Sequence, residues 1–399
     1  MSQVFTALSM LLLTPRLFVH LGEKEFGQYG VLLSAIAIGG IIDFGMNMGM
    51  LRRTIRENEK TSALFSSMVL TYLLFLVGLS LLVWVAVALG WGFSHGFEPI
   101  QLQILVLLVV QTLMSGLLDV MIQSSQKIFK AKLIRITKTI IEFCLIWWQL
   151  NHITVTGILL IMASVNLIYL LVLFVYASKE TAFKFSLKTV SFNLLSNHLR
   201  YSFWYFLTAL SAALVFHAQV FVIDRLGGTM LLASFILFSK FFEIIRTSVS
   251  NFTIVLFPTI VTQERDQDKA AILKLFKSAM SRVLVVLFFM LVLLVLFGKD
   301  LFVWWTKQQQ VYQHSTFLLF LFFTLLMLLD NVSVLFLSAL RLNRNSTLVS
   351  LLQGVLGLVL SALTIQSFGL EGVLWSSIAA LVCTSLFYNI YHLFSHLKR

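Results

Sequence analysis

VLVVLFFMLVLLVLFG, residues 283–298, carries no charged or polar side chain over its whole length. A soluble helix alternates apolar and polar faces, and a buried strand seldom runs past about eight residues. An unbroken run of this length suits a helix with hydrocarbon on every side, where the backbone must close its own hydrogen bonds. Similar runs recur along all 399 residues, so that 59% are hydrophobic, 12% are charged and the mean hydropathy is +0.94. Ordinary soluble domains are about 25% charged. A soluble globular class is excluded, and length counts membrane spans here.

Windows of about 20 apolar residues fall at 2–21, 29–50, 63–90, 100–124, 133–150, 154–177, 201–223, 231–257, 283–298, 315–340, 347–367 and 372–394. The fifth is the weakest, because Lys138 and Glu142 shorten its apolar stretch. The N-terminal window lacks a basic leader and a small-residue cleavage site, and it holds Pro15 and Arg16, so it reads as a retained first span. With an even number of spans and both termini inside, every second loop should collect Lys and Arg. Of the 29 basic residues, Lys24, Arg225, Lys299 and Lys307 lie outside and Arg16, Lys240 and Arg246 lie within spans. All the others lie on the side assigned to the cytoplasm, Arg135 and Lys138 at the cytoplasmic start of the fifth window. The net charge of +12 is thereby explained by topology and attraction to anionic lipid, with no nucleic-acid partner.

The expected architecture is an all-α integral membrane fold of about twelve helices in two six-helix lobes around a central cavity. Residues 1–178 form the N-terminal lobe, 179–200 a cytoplasmic linker and 201–399 the C-terminal lobe. Leu21-Gly22 before the second span resembles Leu226-Gly227 before the eighth, and Leu118-Asp119 resembles Leu329-Asp330, as an internal repeat would require. Even-numbered halves enter the membrane the same way up, a relation that suits alternating access. No loop is long enough for a separate folded domain of about 50 residues.

Ionisable side chains at mid-bilayer cost about 2.5–3.5 kcal/mol each and persist when they are paired, snorkel or line a polar cavity. Thr6, Ser9, Leu13, Arg16 and His20 share one face of the first span. Arg16 there either lines a cavity or snorkels to the outer interface, and Pro15 removes a helical hydrogen bond beside it. In the eighth span Lys240, Glu243, Arg246 and Thr247, with Ser250 and Asn251 a turn on, make a polar face in a Phe- and Leu-rich helix. Glu243 can pair with either cation, which leaves a net positive charge and marks a candidate substrate or ion site. The second span holds Asp43 and Asn47 among Gly39, Gly40, Gly45 and Gly49; the fourth holds Asp119 with Gln111, Ser115 and Gln123; the tenth holds Asp330 with Thr324 and Asn331. For Asp119 and Asp330, hydrogen bonding to a neighbouring helix and ion coupling are both open.

Asp266-Gln267-Asp268 has the spacing of a glycosyltransferase metal motif but sits in a short charged loop, and His392 and His396 have no third ligand at hand. Cys144 and Cys383 lie in apolar runs as small hydrophobes. Phosphate-cradling glycine loops, nucleophile elbows and paired-cysteine zinc patterns are missing from the sequence. An integral-membrane polysaccharide polymerase or ligase would need a large outer loop. The expectation is therefore a transporter without enzymatic activity, metal or cofactor.

The stretch from Leu21 to Gly30, LGEKEFGQYG, followed by Asp43-Phe44-Gly45-Met46 and Arg52-Arg53, resembles the start of polysaccharide-export flippases of the O-antigen (Wzx) type, in the multidrug/oligosaccharidyl-lipid/polysaccharide (MOP) exporter superfamily. Asp224-Arg225-Leu226-Gly227 and Phe257-Pro258 resemble that family's corresponding features in the second half. The resemblance implies export of an undecaprenyl-pyrophosphate-linked oligosaccharide across a bacterial inner membrane, coupled to a proton or sodium gradient and working beside polysaccharide polymerase or ligase machinery. It implies pyrophosphate binding by Arg16 and Arg246, places Asp43 and Arg52 in the second-span motif and makes Glu243 or Asp330 the titrating group. With the residues read from the spans themselves, the candidate substrate-binding set is Arg16, Lys240, Arg246 and Arg52 and the candidate ion-coupling set is Asp43, Glu243, Asp330 and Asp119. The nearest alternative is a multidrug or lipid II exporter of the same superfamily.

Overall fold

The structure, a computed structural model, describes residues 2–50, 61–88, 97–124, 128–180, 185–254, 256–307 and 311–398. Those residues are almost entirely helical, as hydrocarbon requires of a chain with no water to satisfy its backbone. The helices are α1 (Ser2–Gly39), α2 (Thr61–Ala88), α3 (Pro99–Ser124), α4 (Ile128–Trp148), α5 (Val155–Glu180), α6 (Phe192–Phe216), α7 (Ala218–Gly227), α8 (Thr229–Ile254), α9 (Phe257–Arg265), α10 (Lys269–Thr306), α11 (His314–Ala339), α12 (Asn343–Leu381) and α13 (Phe387–Lys398). A 3-10 turn over Gly40–Asp43 follows α1, and a π-helical turn over Val382–Leu386 joins α12 to α13.

Among the described residues, eight stretches are long and apolar enough to cross a membrane. Two of these, Leu11–Asp43 and Asn343–Leu397, each contain a backbone reversal, at Gly22 (φ 71°) and Gly369 (φ 56°), and so hold two spans apiece. Side chains other than glycine rarely adopt such φ values. Helices α4 and α8 fail the apolarity test because α4 carries Lys130, Lys132, Arg135, Lys138 and Glu142 and α8 carries Lys240, Glu243 and Arg246. Splitting the two long stretches and restoring these helices gives twelve spans in two halves of six. The halves share a conformational mark. Gly22 (φ 71°, ψ 173°) follows the first span and Gly228 (φ 83°, ψ 172°) follows the seventh. The repeat register therefore runs through Gly228, one residue beyond the expected Gly227.

The chain divides into two compact units, Met1–Ser9 with Leu17–Leu210, and Met10–Arg16 with Ser211–Arg399. In the first unit α3 packs between α2 and α5, burying Leu64, Met68, Tyr72, Leu113, Leu117 and Leu173. Three of its hydroxyls bond within their own helices: Ser66, Ser67 and Thr112 donate to carbonyls four residues back at 2.8–2.9 Å. In the second unit rings from α8, α10 and α11 interlock, with Phe238 stacked on Phe302 at 4.6 Å and on Phe320 at 5.5 Å. Pro15 deprives the Leu11 carbonyl of its helical donor, and the Trp305 indole N–H donates to that oxygen at 2.7 Å.

Only 11% of the apolar window of α2 and 17% of that of α10 are buried. Leu82 and Trp84 on α2 and Phe288 and Phe289 on α10 are more than 60% exposed. Rows of such side chains facing water would cost about 25 cal/mol per Å², so these faces belong against lipid. The molecule is a multi-pass membrane protein.

Candidate functional site

Phe235, Phe238 and Phe242 of helix α8 are buried in the ring cluster with α11, while Lys240, Glu243 and Arg246, three residues apart on the same helix, are half-buried. Lys240 Nζ donates to Glu243 Oε2 at 2.8 Å, with 23% and 33% of the two side chains exposed. The Arg246 guanidinium lies over the Phe216 ring, 3.8 Å from its centre, a cation–π contact that holds the charge in place without neutralising it. Phe216 is the last residue of α6, where the helix breaks at His217 before resuming as α7. That break sets His217 in electrostatic reach of Lys240, Glu243 and Arg246. One turn further on, Asn331 Nδ2 on α11 donates to Ser250 Oγ at 2.9 Å. Two basic side chains thus accompany one carboxylate, with a histidine beside them, and the surplus formal positive charge suits a phosphate or carboxylate ligand.

The carboxylates expected to couple ions have differing surroundings. Asp43 Oδ1 accepts the Gly45 N–H at 2.7 Å and its Oδ2 accepts the Asn47 N–H at 3.2 Å. These bonds cap the short helix that restarts at 46–50 after Phe44 (φ 51°) and Gly45 (φ 73°) turn the chain left-handed. Both carboxylate oxygens of Asp43 are thus held by backbone N–H groups, as in a helix cap. Asn47 links the break to the rest of the unit, donating to Leu113 O at 3.2 Å and accepting from the Tyr72 hydroxyl at 3.1 Å. His198 Nε2 donates to Met46 O at 2.9 Å. A methyl group at Gly45 would lie 2.6 Å from Phe206 N and 2.7 Å from Ser202 O, so helix α6 approaches the break closely.

Asp119 is buried and ion-paired with Arg135 on α4, and Tyr169 O–H donates to its other oxygen at 3.4 Å. Lys138 and Glu142, the pair that weakened the fifth span, bond to each other at 3.1 Å. The Asp119 contacts come from α4 and α5. Asp330 is 6% exposed on α11; Asn389 Nδ2 donates to it at 2.8 Å. Beside it, Ser385 of the π-helical turn donates to Gln353 Oε1 at 2.6 Å. Such turns frequently mark functional sites. Arg16 is exposed on α1. Arg52 lies outside the described residues. No three His, Cys, Asp or Glu side chains gather as a metal site among the described residues.

Solved structures align with this chain end to end. An inward-facing multidrug resistance MATE family transporter of the MOP superfamily has a TM-score of 0.70 at 13% identity, over 100% of this chain and 96% of that one. This chain has the MATE transporter fold. The MATE multidrug transporter DinF-BH, solved in complex with a ligand, has a TM-score of 0.70 at 15% identity, over 99% and 92% of the two chains. A MOP superfamily transporter from Pyrococcus furiosus, described as having a binding pocket of reverse polarity that suggests a different function, has a TM-score of 0.60 at 13% identity, over 100% and 96%. No family model matches the sequence, and no curated protein matches it.

Within the MATE fold, the polar face of α8 was legible from spacing, since 240, 243 and 246 fall three apart on a helix. Phe216 and His217 were not. They reach that face only because α6 ends where it does, and no hydrophobic period marks the break.

Proposed function

We propose that this protein is a flippase for an anionic lipid-linked oligosaccharide, of the undecaprenyl-pyrophosphate class, moving its substrate between leaflets by alternating access. The observation that carries the reading is the α8 group: Lys240 and Arg246 outnumber Glu243 on a helix otherwise lined with phenylalanine. A diphosphate needs cations for its charge, and a polyprenyl tail needs apolar walls. Glu243 competes with the substrate for Lys240, so substrate binding and the protonation of Glu243 or Asp330 are the steps through which a proton or sodium gradient would act. Arg16 and Arg52 are proposed as accessory phosphate contacts. The protein would sit in a bacterial inner membrane with both termini cytoplasmic, in reach of polysaccharide polymerase or ligase partners.

The reading is tested by complementing a strain that lacks its O-unit flippase. Wild type should restore surface glycan, and Lys240→Ala and Arg246→Ala should each lower it at least about tenfold at matched membrane levels, the effect of losing one charge-assisted contact of about 1.5 kcal/mol or more. Normal export by all the variants, Arg16→Ala included, would remove the site. Export of drugs is the second reading, supported by the multidrug transporters that share the fold. It is favoured if wild type raises drug resistance and restores no glycan.

A further inference from the structure

The stretch between the two halves reads from its sequence as a cytoplasmic linker, and residues 186 and 191 of it are held by backbone hydrogen bonds. The Ser186 N–H donates to Ser66 Oγ at 3.0 Å and the Ser191 N–H donates to Ser67 Oγ at 3.0 Å, on either side of a 3-10 turn over Leu187–Thr189. Ser66 and Ser67 are buried on α2, inside the membrane span Ser62–Ala88. The turn is therefore held at the depth of the second turn of a transmembrane helix. With the backbone tied at two points, its apolar side chains still face outward: Phe185, Leu187 and Phe192 are 44%, 66% and 70% exposed.

Charge selects what covers them. No Asp or Glu occurs from 181 to 223, whereas Lys184, Lys188 and Arg200 do, and Lys188 and Arg200 are exposed. The helix that follows, α6, has 25 residues, about 38 Å at 1.5 Å per residue against a hydrocarbon core of about 30 Å. Its first turns extend into the headgroup layer, and the exposed surface becomes lipid-like at Tyr201 and Phe203. An apolar tip with an exposed lysine at 188 and an exposed arginine at 200 on the helix that follows has the chemistry of an interfacial anchor.

We propose that residues 185–192 are a membrane anchor for the leaflet on the basic side: Phe185, Leu187 and Phe192 insert at the boundary of headgroups and acyl chains, and Lys188 and Arg200 pair with anionic lipid phosphates. The turn fixes the chain between the halves to the bilayer as well as to α2. This inference does not depend on the substrate.

The test places a nitroxide at Leu187→Cys in a Cys144→Ala/Cys383→Ala background, in full-length protein reconstituted into vesicles of phosphatidylcholine and phosphatidylglycerol, three to one. Leu82→Cys on α2 serves as the hydrocarbon reference and Asp266→Cys as the aqueous one. Power saturation with oxygen and a nickel chelate should put the label about 5–10 Å below the phosphates, with several-fold lower nickel accessibility than at 266. In pure phosphatidylcholine the nickel accessibility should rise, and Lys188→Gln should produce the same rise in the mixed vesicles. A label as open to nickel as that at 266, or one shielded from both reagents, overturns the anchor. Equal accessibility in the two vesicle types overturns its pairing with anionic lipid.

Discussion

Removing the charge of Glu243 by Glu243→Gln leaves Lys240 and Arg246 as like charges on one face of α8. Breaking a fully buried pair costs about 3–5 kcal/mol; Lys240 and Glu243 remain 23% and 33% exposed, and the expected loss is about 1–3 kcal/mol after allowing for that screening. Thermal unfolding in detergent should show it. The double variant Lys240→Met/Glu243→Met should regain most of the stability while losing glycan export, a split that a purely structural pair would not give. Asp43 makes the opposite case. Asn is as good a cap as Asp, so Asp43→Asn should leave both melting temperature and export close to wild type, whereas Gly45→Ala should destabilise by about 1–3 kcal/mol because the left-handed conformation and the close approach of Phe206 both resist a methyl group. Loss of export in well-folded Asp43→Asn protein would assign that carboxylate to ion coupling. The sequence showed Asp43 as a carboxylate in a span but not as a cap, because the bonds that occupy it come from the backbone of Gly45 and Asn47.

The first helix illustrates how a local sequence signal becomes a tertiary contact. Pro15 predicts a missing helical hydrogen bond, and the structure supplies the Trp305 indole to the carbonyl so freed. Trp305→Phe should therefore cost about 1 kcal/mol, at the lower end of the penalty for a carbonyl left without a donor because this one is only partly buried. The cost should shrink in a Pro15→Ala background, where the residue 15 N–H can bond Leu11 directly. Unfolding of the four proteins in this cycle measures the coupling, and strict additivity would refute it. The partner was not legible because 294 residues separate Trp305 from Leu11. Element boundaries were legible wherever apolar composition decided them. They were not where polar residues form helix: α6 begins at Phe192, within the expected linker, because Leu195 and His198 bury one side of its first turns while Asn193, Asn197 and Arg200 stay exposed.

Twelve spans were countable in the sequence because each is a separate apolar run, and the two that failed a strict apolarity test are those whose charges have partners, Arg135 with Asp119 and Lys240 with Glu243. The same loop bookkeeping predicts sidedness. Alkaline phosphatase fused after Asp266 or at the C-terminus should be inactive, and fused after Gln313 active; the reverse pattern would invert the topology. Fold likeness at 13–15% identity leaves the substrate to the site's chemistry, and that chemistry is the surplus positive charge on α8. Its decisive assay is translocation of a polyprenyl-pyrophosphate-linked oligosaccharide in vesicles reconstituted with purified wild type or Lys240→Ala/Arg246→Ala protein of equal melting temperature. Loss of two charge-assisted contacts of about 1.5 kcal/mol or more each should slow the double variant at least about a hundredfold. Translocation by that variant at the wild-type rate would contradict the proposal.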